Sequence, residues 1–257
     1  MDLGLSDRTA LVLGATSGIG RAIAQALAAE GANLVLVGRD VDRVRALTES
    51  LPSTVGVAAD LTDSGTPERV LSVAQETFGD VDVLVLNGGG PRPGTARELG
   101  ADGVTTAVDL LVRPHVALVQ AVLPAMIERG WGRIVAVGSS GVQQPLPNLA
   151  ASNVGRAALA GYLKTLAGEV AGSGVTVNMV LPGRIDTDRV TQLDQAAAER
   201  TGRTVQEVRA GSEASIPAGR YGTPEEFAAV AVFLASQAAA YVTGEQIRCD
   251  GGLVRAH

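Results

Sequence analysis

The sequence predicts a doubly wound α/β fold that forms a single domain over residues 1–257. Three observations lead to this prediction. Short aliphatic runs alternate with alanine-rich segments of helical period, which is the pattern of a parallel sheet covered on both faces. The chain is 46% hydrophobic, so it can bury a full core. No repeat, linker or low-complexity tract divides it.

Seven runs predict the strands of this sheet, from TALVLG near the start to EQIRC near the end. The predicted strands are 9–14, 33–38, 54–59, 82–87, 133–138, 176–181 and 245–249. Helices are predicted near 19–30, 40–50, 67–78, 102–129, 150–172 and 224–236. The polar stretch 188–218 has no strand pattern, which predicts a mobile lid of helical pieces. Ligand-binding residues are expected directly after the strands.

Composition and charge exclude several function classes. The formal charge of -6, without clustered Lys and Arg, argues against nucleic acid as a partner. One cysteine, Cys249, and two histidines, His115 and His257, predict no disulfide within the chain and no metal site. The N-terminus lacks the pattern of a signal peptide, and no run reaches the roughly 18 apolar residues of a membrane span. We therefore expect a cytoplasmic protein that acts on a small molecule, with no membrane partner.

The segment GATSGIGRAIA follows the first predicted strand and opens the first predicted helix. Its glycines let the backbone approach a pyrophosphate, whose charge is stabilised by free N–H groups and by the helix dipole. The spacing differs from the general G-x-G-x-x-G pattern, but its place in the first βα unit favours a dinucleotide site over a tight turn with close helix packing. The candidate cofactor contacts are Gly14, Ser17, Gly18, Ile19 and Gly20, with Arg21 as a supplementary phosphate partner.

The end of the second predicted strand carries Gly38 and Arg39. An acid at this place usually accepts the ribose 2′-hydroxyl of NAD, whereas an arginine suits the 2′-phosphate of NADP. We interpret Gly38 as leaving room for that phosphate and Asp40 as the N-cap of the next helix. The sequence therefore favours NADP(H) over NAD(H). The alternative is that Arg39 is a solvated charge at the end of a strand.

Further motifs resemble the short-chain dehydrogenase/reductase family over essentially the whole chain. They are AADLTD, LNGGGP, GRIVAVGSS, VTVNMVLPGRIDTDR and the C-terminal segment from GRYGTPEEF to CDGG. The resemblance implies one Rossmann-type domain with seven parallel strands, assembled as a homotetramer or homodimer. It also implies cofactor contacts, which are Asp60 and Leu61 near the adenine, Asn87 and Gly88 beside the cofactor, Pro182 and Gly183 at the pocket wall, and Ile185 and Thr187 by the nicotinamide carboxamide.

The family uses Asn, Ser, Tyr and Lys as catalytic residues. The resemblance places Ser139 at the serine position, but it places Leu111, Ser152 and Arg156 at the positions of the asparagine, the tyrosine and the lysine. The segment SNVGR is similar to that of a minority subgroup described as 3-oxoacyl-carrier-protein-reductase-like. We therefore expect an atypical active site with Ser139, Ser152 and Arg156 as the candidate catalytic residues.

The loss of the tyrosine need not end catalysis. General acid catalysis contributes typically 10² to 10⁴ in rate, whereas contact between hydride donor and acceptor contributes more, on the order of 7 to 11 kcal/mol. Arg156 cannot exchange a proton, yet its guanidinium can bind ribose hydroxyls or a substrate anion.

Other residues are weaker candidates for the proton or the substrate. His115 lies on the helical face of Leu111, but a core histidine that bonds a carbonyl near Pro114 is the preferred interpretation. Arg92 and Arg184 lie on loops at the cofactor end, where surface charges are more common than anion sites. A lid could bring Tyr221 inward. The remaining candidates are Gln143 and Asn153, and Cys249 is interpreted as a buried apolar residue.

Two function classes remain. The preferred one is an NADP(H)-dependent oxidoreductase on a carbonyl or secondary alcohol, in which Ser139, a water or a substrate group provides the proton. The alternative keeps the nucleotide site without hydride transfer, as a nucleotide-binding protein or a non-redox isomerase or cyclase. The fold class alone does not decide between them.

Overall fold

Seven parallel strands form one sheet in the order β3-β2-β1-β4-β5-β6-β7. The computed structural model describes residues 2–255, and His257 lies outside them. The strands are β1 Thr9–Leu13, β2 Asn33–Gly38, β3 Thr54–Ala58, β4 Val83–Leu86, β5 Gly132–Val137, β6 Val175–Pro182 and β7 Gln246–Cys249. This sheet confirms the predicted Rossmann-type α/β fold, with every strand within three residues of its predicted bounds.

Nine α-helices cover the sheet within the described residues. They are α1 Gly18–Ala29, α2 Val41–Ser50, α3 Thr66–Thr77, α4 Ala101–Leu111, α5 Arg113–Glu128, α6 Ala150–Val170, α7 Asp188–Thr201, α8 Val205–Ser215 and α9 Pro224–Ala235. Alternate residues of a strand enter opposite cores, so Leu11 and Leu13 pack on one face while Ala10 and Val12 pack on the other. The strands are therefore apolar on both faces, as a doubly covered parallel sheet requires.

The predicted helix 102–129 is wrong as one continuous helix. It is divided at Val112 into α4 and α5, because Pro114 in the first turn of α5 has no N–H to donate and its ring disfavours an unbroken helix. The predicted stretch 188–218 does consist of helical pieces, α7 and α8. Its mobility as a lid stays a prediction.

The helical stretch Ala101–Glu128 is the one part of residues 2–255 that is long and apolar enough to cross a membrane by length and composition. A helix that packs on a sheet can have the same composition, so this stretch by itself does not indicate a membrane span.

The order of the strands determines where a ligand can bind. Strands β1 and β4 are neighbours, although two βα units separate them in the chain. Loops on either side of this pair run in opposite directions, which opens a crevice at the carboxyl ends of the strands. The loops after β1, β4, β5 and β6 meet at this edge of the sheet.

Candidate active site

The turn between β1 and α1 has the shape that a pyrophosphate needs. Gly14 and Gly18 have positive φ angles of 58° and 49°, which favour glycine. A Cβ on Gly20 would collide with the carbonyl oxygen of Gly14. Ser17 is the N-cap of α1, and its side chain does not cap the helix, so the first N–H groups have no side-chain acceptor from this residue. The residues present therefore fit a dinucleotide.

Asn87 supports this turn from the neighbouring strand. Its amide Nδ2 donates to the carbonyl oxygens of Leu13 and Gly14, both at 3.2 Å. A Cβ on Gly14 would lie only 2.8 Å from that amide nitrogen. Asn87 thus holds the glycine turn in place through its side chain.

Arg39 lies exposed at the end of β2, where the sequence predicted it. Asp40 is confirmed as the N-cap of α2, because its Oδ1 accepts from the N–H groups of Asp42 at 3.0 Å and Arg43 at 3.1 Å. The reason for a glycine at position 38 is different from the expectation that it leaves space for a phosphate, however. A Cβ on Gly38 would lie 2.5 Å from Cγ2 of Thr16, so Gly38 is small because Thr16 packs there.

Asp60 and Leu61 follow β3 on the same side as Arg39. The carboxylate of Asp60 accepts from the N–H and hydroxyl of Thr62 at 2.9 and 2.7 Å. These two bonds lower the pKa of Asp60, and the charge of Arg39 lowers it further. Leu61 lies close to the backbone of Gly88, since a Cβ there would be 3.7 Å from its Cδ1.

The loop after β6 closes against the glycine turn. A Cβ on Gly18 would lie 3.1 Å from Cγ2 of Thr187, so these two loops are in contact. Thr187 is the N-cap of α7 and its hydroxyl donates to the carbonyl oxygen of Ile185 at 3.3 Å. Pro182 ends β6, and Gly183 faces the backbone of Asp250, where a Cβ would lie 2.7 Å from Cα.

Ser139 follows β5 and begins a short 3₁₀ turn. Its Oγ accepts from the N–H of Gly141 at 3.1 Å, which leaves its own O–H proton available to an acceptor. Asn153, by contrast, has a structural role. Its side chain accepts from the N–H of Leu146 at 3.3 Å and donates to the carbonyl of Leu146 at 2.9 Å, which fixes the loop that follows Ser139.

Ser152 and Arg156 lie on successive turns of α6, as predicted. Ser152 is half-buried. The guanidinium of Arg156 reaches back to the sheet and donates from Nη1 to the carbonyl oxygen of Val137 at 2.7 Å. The residue keeps part of its surface open, yet burial of its charged end lowers the pKa of Arg156 to about 10, with a smaller contribution from the charge of Arg189. Arg156 therefore stays cationic at neutral pH.

His115 is buried beneath the same loops. Its Nδ1 lies 2.8 Å from the carbonyl oxygen of Leu111 and therefore carries the proton that it donates. The preferred interpretation as a core histidine bonded to a carbonyl is confirmed for this nitrogen. The other nitrogen, Nε2, is buried with no partner in the described residues. Burial is the main cause that lowers the pKa of His115 and the charge of Arg156 lowers it further, whereas the backbone groups of Leu111 and Asn87 raise it.

The chain matches known enzymes over nearly its full length. The family model described as enoyl-(acyl carrier protein) reductase matches residues 14–254. The 3-oxoacyl-[acyl-carrier-protein] reductase FabG of Escherichia coli (strain K12) is 36% identical over 249 residues, which cover 96% of this chain and 97% of that protein. The chain belongs to the short-chain dehydrogenase/reductase family.

Two further relatives of this family carry the cofactor in their names. The NADPH-dependent reductase BacG of Bacillus subtilis (strain 168) is 30% identical over 257 residues, which cover 98% of this chain and 99% of that protein. The crystal structure of L-sorbose reductase from Gluconobacter frateurii, complexed with NADPH and L-sorbose, has a TM-score of 0.93 and 33% identity, with all of both chains covered.

Arg189 is a residue of the candidate site that sequence reasoning missed. It lies in the first turn of α7, and its Nη2 donates to the carbonyl oxygen of Pro91 at 3.1 Å, which connects α7 to the loop after β4. A cation in the first turn opposes the helix dipole, so its position was an available signal. The same loop also pairs with the start of α6, because the N–H of Gly94 donates to the carbonyl oxygen of Asn148 at 2.8 Å.

Arg184 and Tyr221 are both held by another side chain in this arrangement. Both bind the buried carboxylate of Asp194, Arg184 from Nη1 at 2.9 Å and Tyr221 from its hydroxyl at 2.8 Å. The suggestion that a lid carries Tyr221 inward therefore conflicts with its bond to Asp194.

Arg92 is exposed on the loop after β4. Cys249 is half-buried at the end of β7, which is more open than expected, and burial raises the pKa of its thiol.

Proposed function

We propose that this protein is an NADP(H)-dependent oxidoreductase that acts on a carbonyl or a secondary alcohol. The observation that carries the cofactor choice is the end of β2. Arg39 is exposed there, whereas the Asp40 carboxylate caps α2 with Oδ1 and lies 3.5 Å from the Arg43 guanidinium with Oδ2. A guanidinium suits a 2′-phosphate and the neighbouring hydroxyl of Thr16 is a second donor. The names of BacG and of the sorbose reductase structure support the same choice.

The catalytic site is proposed to be atypical, with Ser139, Ser152 and Arg156 as its polar groups. When bound, the nicotinamide would supply the hydride. The Ser139 hydroxyl can donate to the carbonyl oxygen, because its Oγ already accepts from Gly141. The guanidinium of Arg156 stabilises the negative charge that develops on this oxygen, and a water provides the proton that Arg156 cannot release. The half-buried hydroxyl of Ser152 orients the substrate.

A second candidate function follows from the weak acidity of these groups. A serine hydroxyl and a permanently charged guanidinium lack an efficient proton donor, which favours a nucleotide-binding protein or a non-redox isomerase or cyclase. NADPH oxidation with a panel of ketones separates the two functions. Turnover of any ketone supports the oxidoreductase, and tight NADPH binding without turnover supports the alternative.

Cofactor selection is tested by Arg39→Ala. We expect the wild-type protein to bind NADPH more tightly than NADH in titration calorimetry. The substitution should weaken NADPH binding by about 1.5 to 3 kcal/mol, the range for a hydrogen bond to a charged group, and leave NADH binding nearly unchanged. Arg45→Ala is the matched control, since Arg45 is an exposed arginine of α2 that pairs with Asp42. Equal affinity of the wild-type protein for both nucleotides would contradict the proposal.

A further inference from the structure

The side chain of Asn153 links the first turn of α6 to the loop that follows Ser139. Its Oδ1 accepts from the N–H of Leu146 at 3.3 Å, and its Nδ2 donates to the carbonyl oxygen of the same residue at 2.9 Å. Because both bonds reach one residue, they fix the orientation of the amide as well as its distance. Leu146 precedes α6, so this contact is not part of the helix itself.

The same amide also packs against the turn that carries Ser139. A Cβ on Gly141 would lie 2.6 Å from Oδ1 of Asn153 and 3.6 Å from Cγ of Leu146, so a glycine is needed for the amide to come this close. The N–H of Gly141 in turn donates to Oγ of Ser139 at 3.1 Å. Asn153 therefore contacts the residue whose N–H orients the Ser139 side chain.

The loop between this turn and α6 is attached at both ends and at its middle. The N–H of Gln144 donates to the carbonyl oxygen of Ser140 at 2.9 Å, which ties the first end to the turn. The carbonyl oxygen of Asn148 accepts from the N–H of Gly94 at 2.8 Å, which ties the other end to the loop after β4. Leu146 lies between these attachments, and Asn153 connects it to α6.

We propose that Asn153 is a positioning residue of the reaction, which holds the turn at Ser139 so that the serine hydroxyl points at the substrate carbonyl. A serine side chain has three staggered rotamers, and only a fixed one directs its proton to a single place. A donor to a developing oxyanion is most effective when it is held in place before the reaction. This inference rests on the proposed function and adds a residue that acts through Ser139 rather than on the substrate.

The test is a double-mutant cycle of Asn153→Ala and Ser139→Ala, measured as NADPH oxidation by the full chain with a ketone that the wild type reduces. We expect Asn153→Ala to lower kcat on the order of tenfold to hundredfold, as a misplaced reacting group does, and to leave KM for NADPH unchanged. In the Ser139→Ala background the same substitution should change kcat by less than about twofold, because the group that Asn153 positions is already gone.

Asn178→Ala is the matched control. Asn178 of β6 also fixes a neighbouring segment with its side-chain amide, which donates to the carbonyl oxygen of Val242 at 2.7 Å and accepts from the N–H of Glu245 at 3.0 Å. We expect Asn178→Ala to lower the midpoint of urea unfolding and to keep the wild-type kcat. Hydrogen exchange of residues 139–149, measured by mass spectrometry without substrate, should be faster in Asn153→Ala and unchanged in Asn178→Ala.

A second variant covers the case in which Asn153→Ala does not fold. Asn153→Asp keeps the shape of the side chain and one acceptor, but at neutral pH its carboxylate cannot donate to the carbonyl oxygen of Leu146. It should also lower kcat and speed up exchange in residues 139–149.

Two kinetic outcomes would overturn the inference. One is a wild-type kcat in the folded Asn153 variants, and the other is an equal loss of kcat with and without the Ser139 hydroxyl, which would make Asn153 a structural residue only. Failure of the proposed function is recognised separately, because the wild type then oxidises NADPH with no ketone. Exchange decides in that case. Faster exchange of residues 139–149 in Asn153→Ala would support the holding role, and unchanged exchange would contradict it.

Discussion

At the scale of single residues, His115 has one ring nitrogen that makes a hydrogen bond and one that makes none in the described residues. Nδ1 donates to Leu111, whereas Nε2 makes no hydrogen bond within the described residues and lies buried near the backbone of Gly88, where a Cβ would be 3.9 Å away. Protonation of Nε2 would place a second positive charge beside Arg156. The fold therefore holds His115 in its neutral form.

This arrangement predicts how stability depends on pH. Because the pKa of His115 is lowered in the folded state, its contribution is fully present above the unfolded value of about 6.5 and is lost as the pH falls below that value. His115→Gln lacks this titration. We expect the stability advantage of the wild type over the variant, measured by urea unfolding, to be smaller at pH 5.5 than at pH 7.5. An equal advantage at both values would contradict a lowered pKa.

The sequence predicted the positions of the site residues better than their bonds. The resemblance to the family's motifs singled out Ser139, Ser152 and Arg156, and the predicted elements placed the first directly after β5 and the other two on α6. The bond from Arg156 to Val137 depends on how closely α6 packs on the sheet, which local sequence does not specify. Arg189 was missed for the same reason, since its partner Pro91 lies on a loop 98 residues earlier.

At the scale of elements, polar bonds fasten α7 and α8 to the rest of the molecule. Asp194 of α7 is buried and binds Arg184 in the loop after β6 and Tyr221 before α9. Arg209 of α8 pairs with Asp186 at 2.8 Å, and its guanidinium lies 4.6 Å from the centre of the Tyr221 ring. Within α8 no residue is fully buried, so these side-chain contacts are an important part of its attachment.

The predicted mobility of 188–218 can be tested at Tyr221. Tyr221→Phe removes one hydrogen bond from the buried Asp194 carboxylate and should lower the local stability by about 1 to 3 kcal/mol. We expect faster proteolysis within 188–218, while the global unfolding midpoint changes little. Tyr241→Phe is the control, because Tyr241 is fully exposed. Identical cleavage rates in wild type and Tyr221→Phe would show that this bond does not restrain the two helices.

Element boundaries were predictable where a local signal exists. Asp40 was predicted as the cap of α2, and its side chain accepts there from free N–H groups. Pro114 was also a visible signal, but its consequence, a division of the helix at Val112, was not drawn from the sequence. The role of Gly38 was not predictable, because Thr16 reaches it from another βα unit.

At the scale of the whole molecule, two arginines with lowered pKa values lie at opposite ends of β5. Arg133 at the start of the strand is buried, and its guanidinium donates to the carbonyl oxygens of Ser236 at 3.0 Å, Gly132 at 2.8 Å and Gly174 at 3.1 Å. It also stacks 4.3 Å from the Trp131 ring centre. Arg156 at the other end has one carbonyl acceptor. Burial is the main cause that lowers the pKa of each to about 10, but their surroundings differ.

This difference predicts unequal effects of the same substitution on stability. Arg133→Met leaves the carbonyls of three chain segments without their donor, so the free energy of unfolding should fall by at least about 1 to 3 kcal/mol. Arg156→Met removes a buried charge that no carboxylate balances and loses the single bond to Val137, so the free energy of unfolding should fall less than in Arg133→Met, while turnover falls. Urea unfolding and NADPH oxidation measured on both variants compare the two ends directly. If Arg156→Met destabilised the protein as much as Arg133→Met, Arg156 would be a structural residue and the site would lose its central charge.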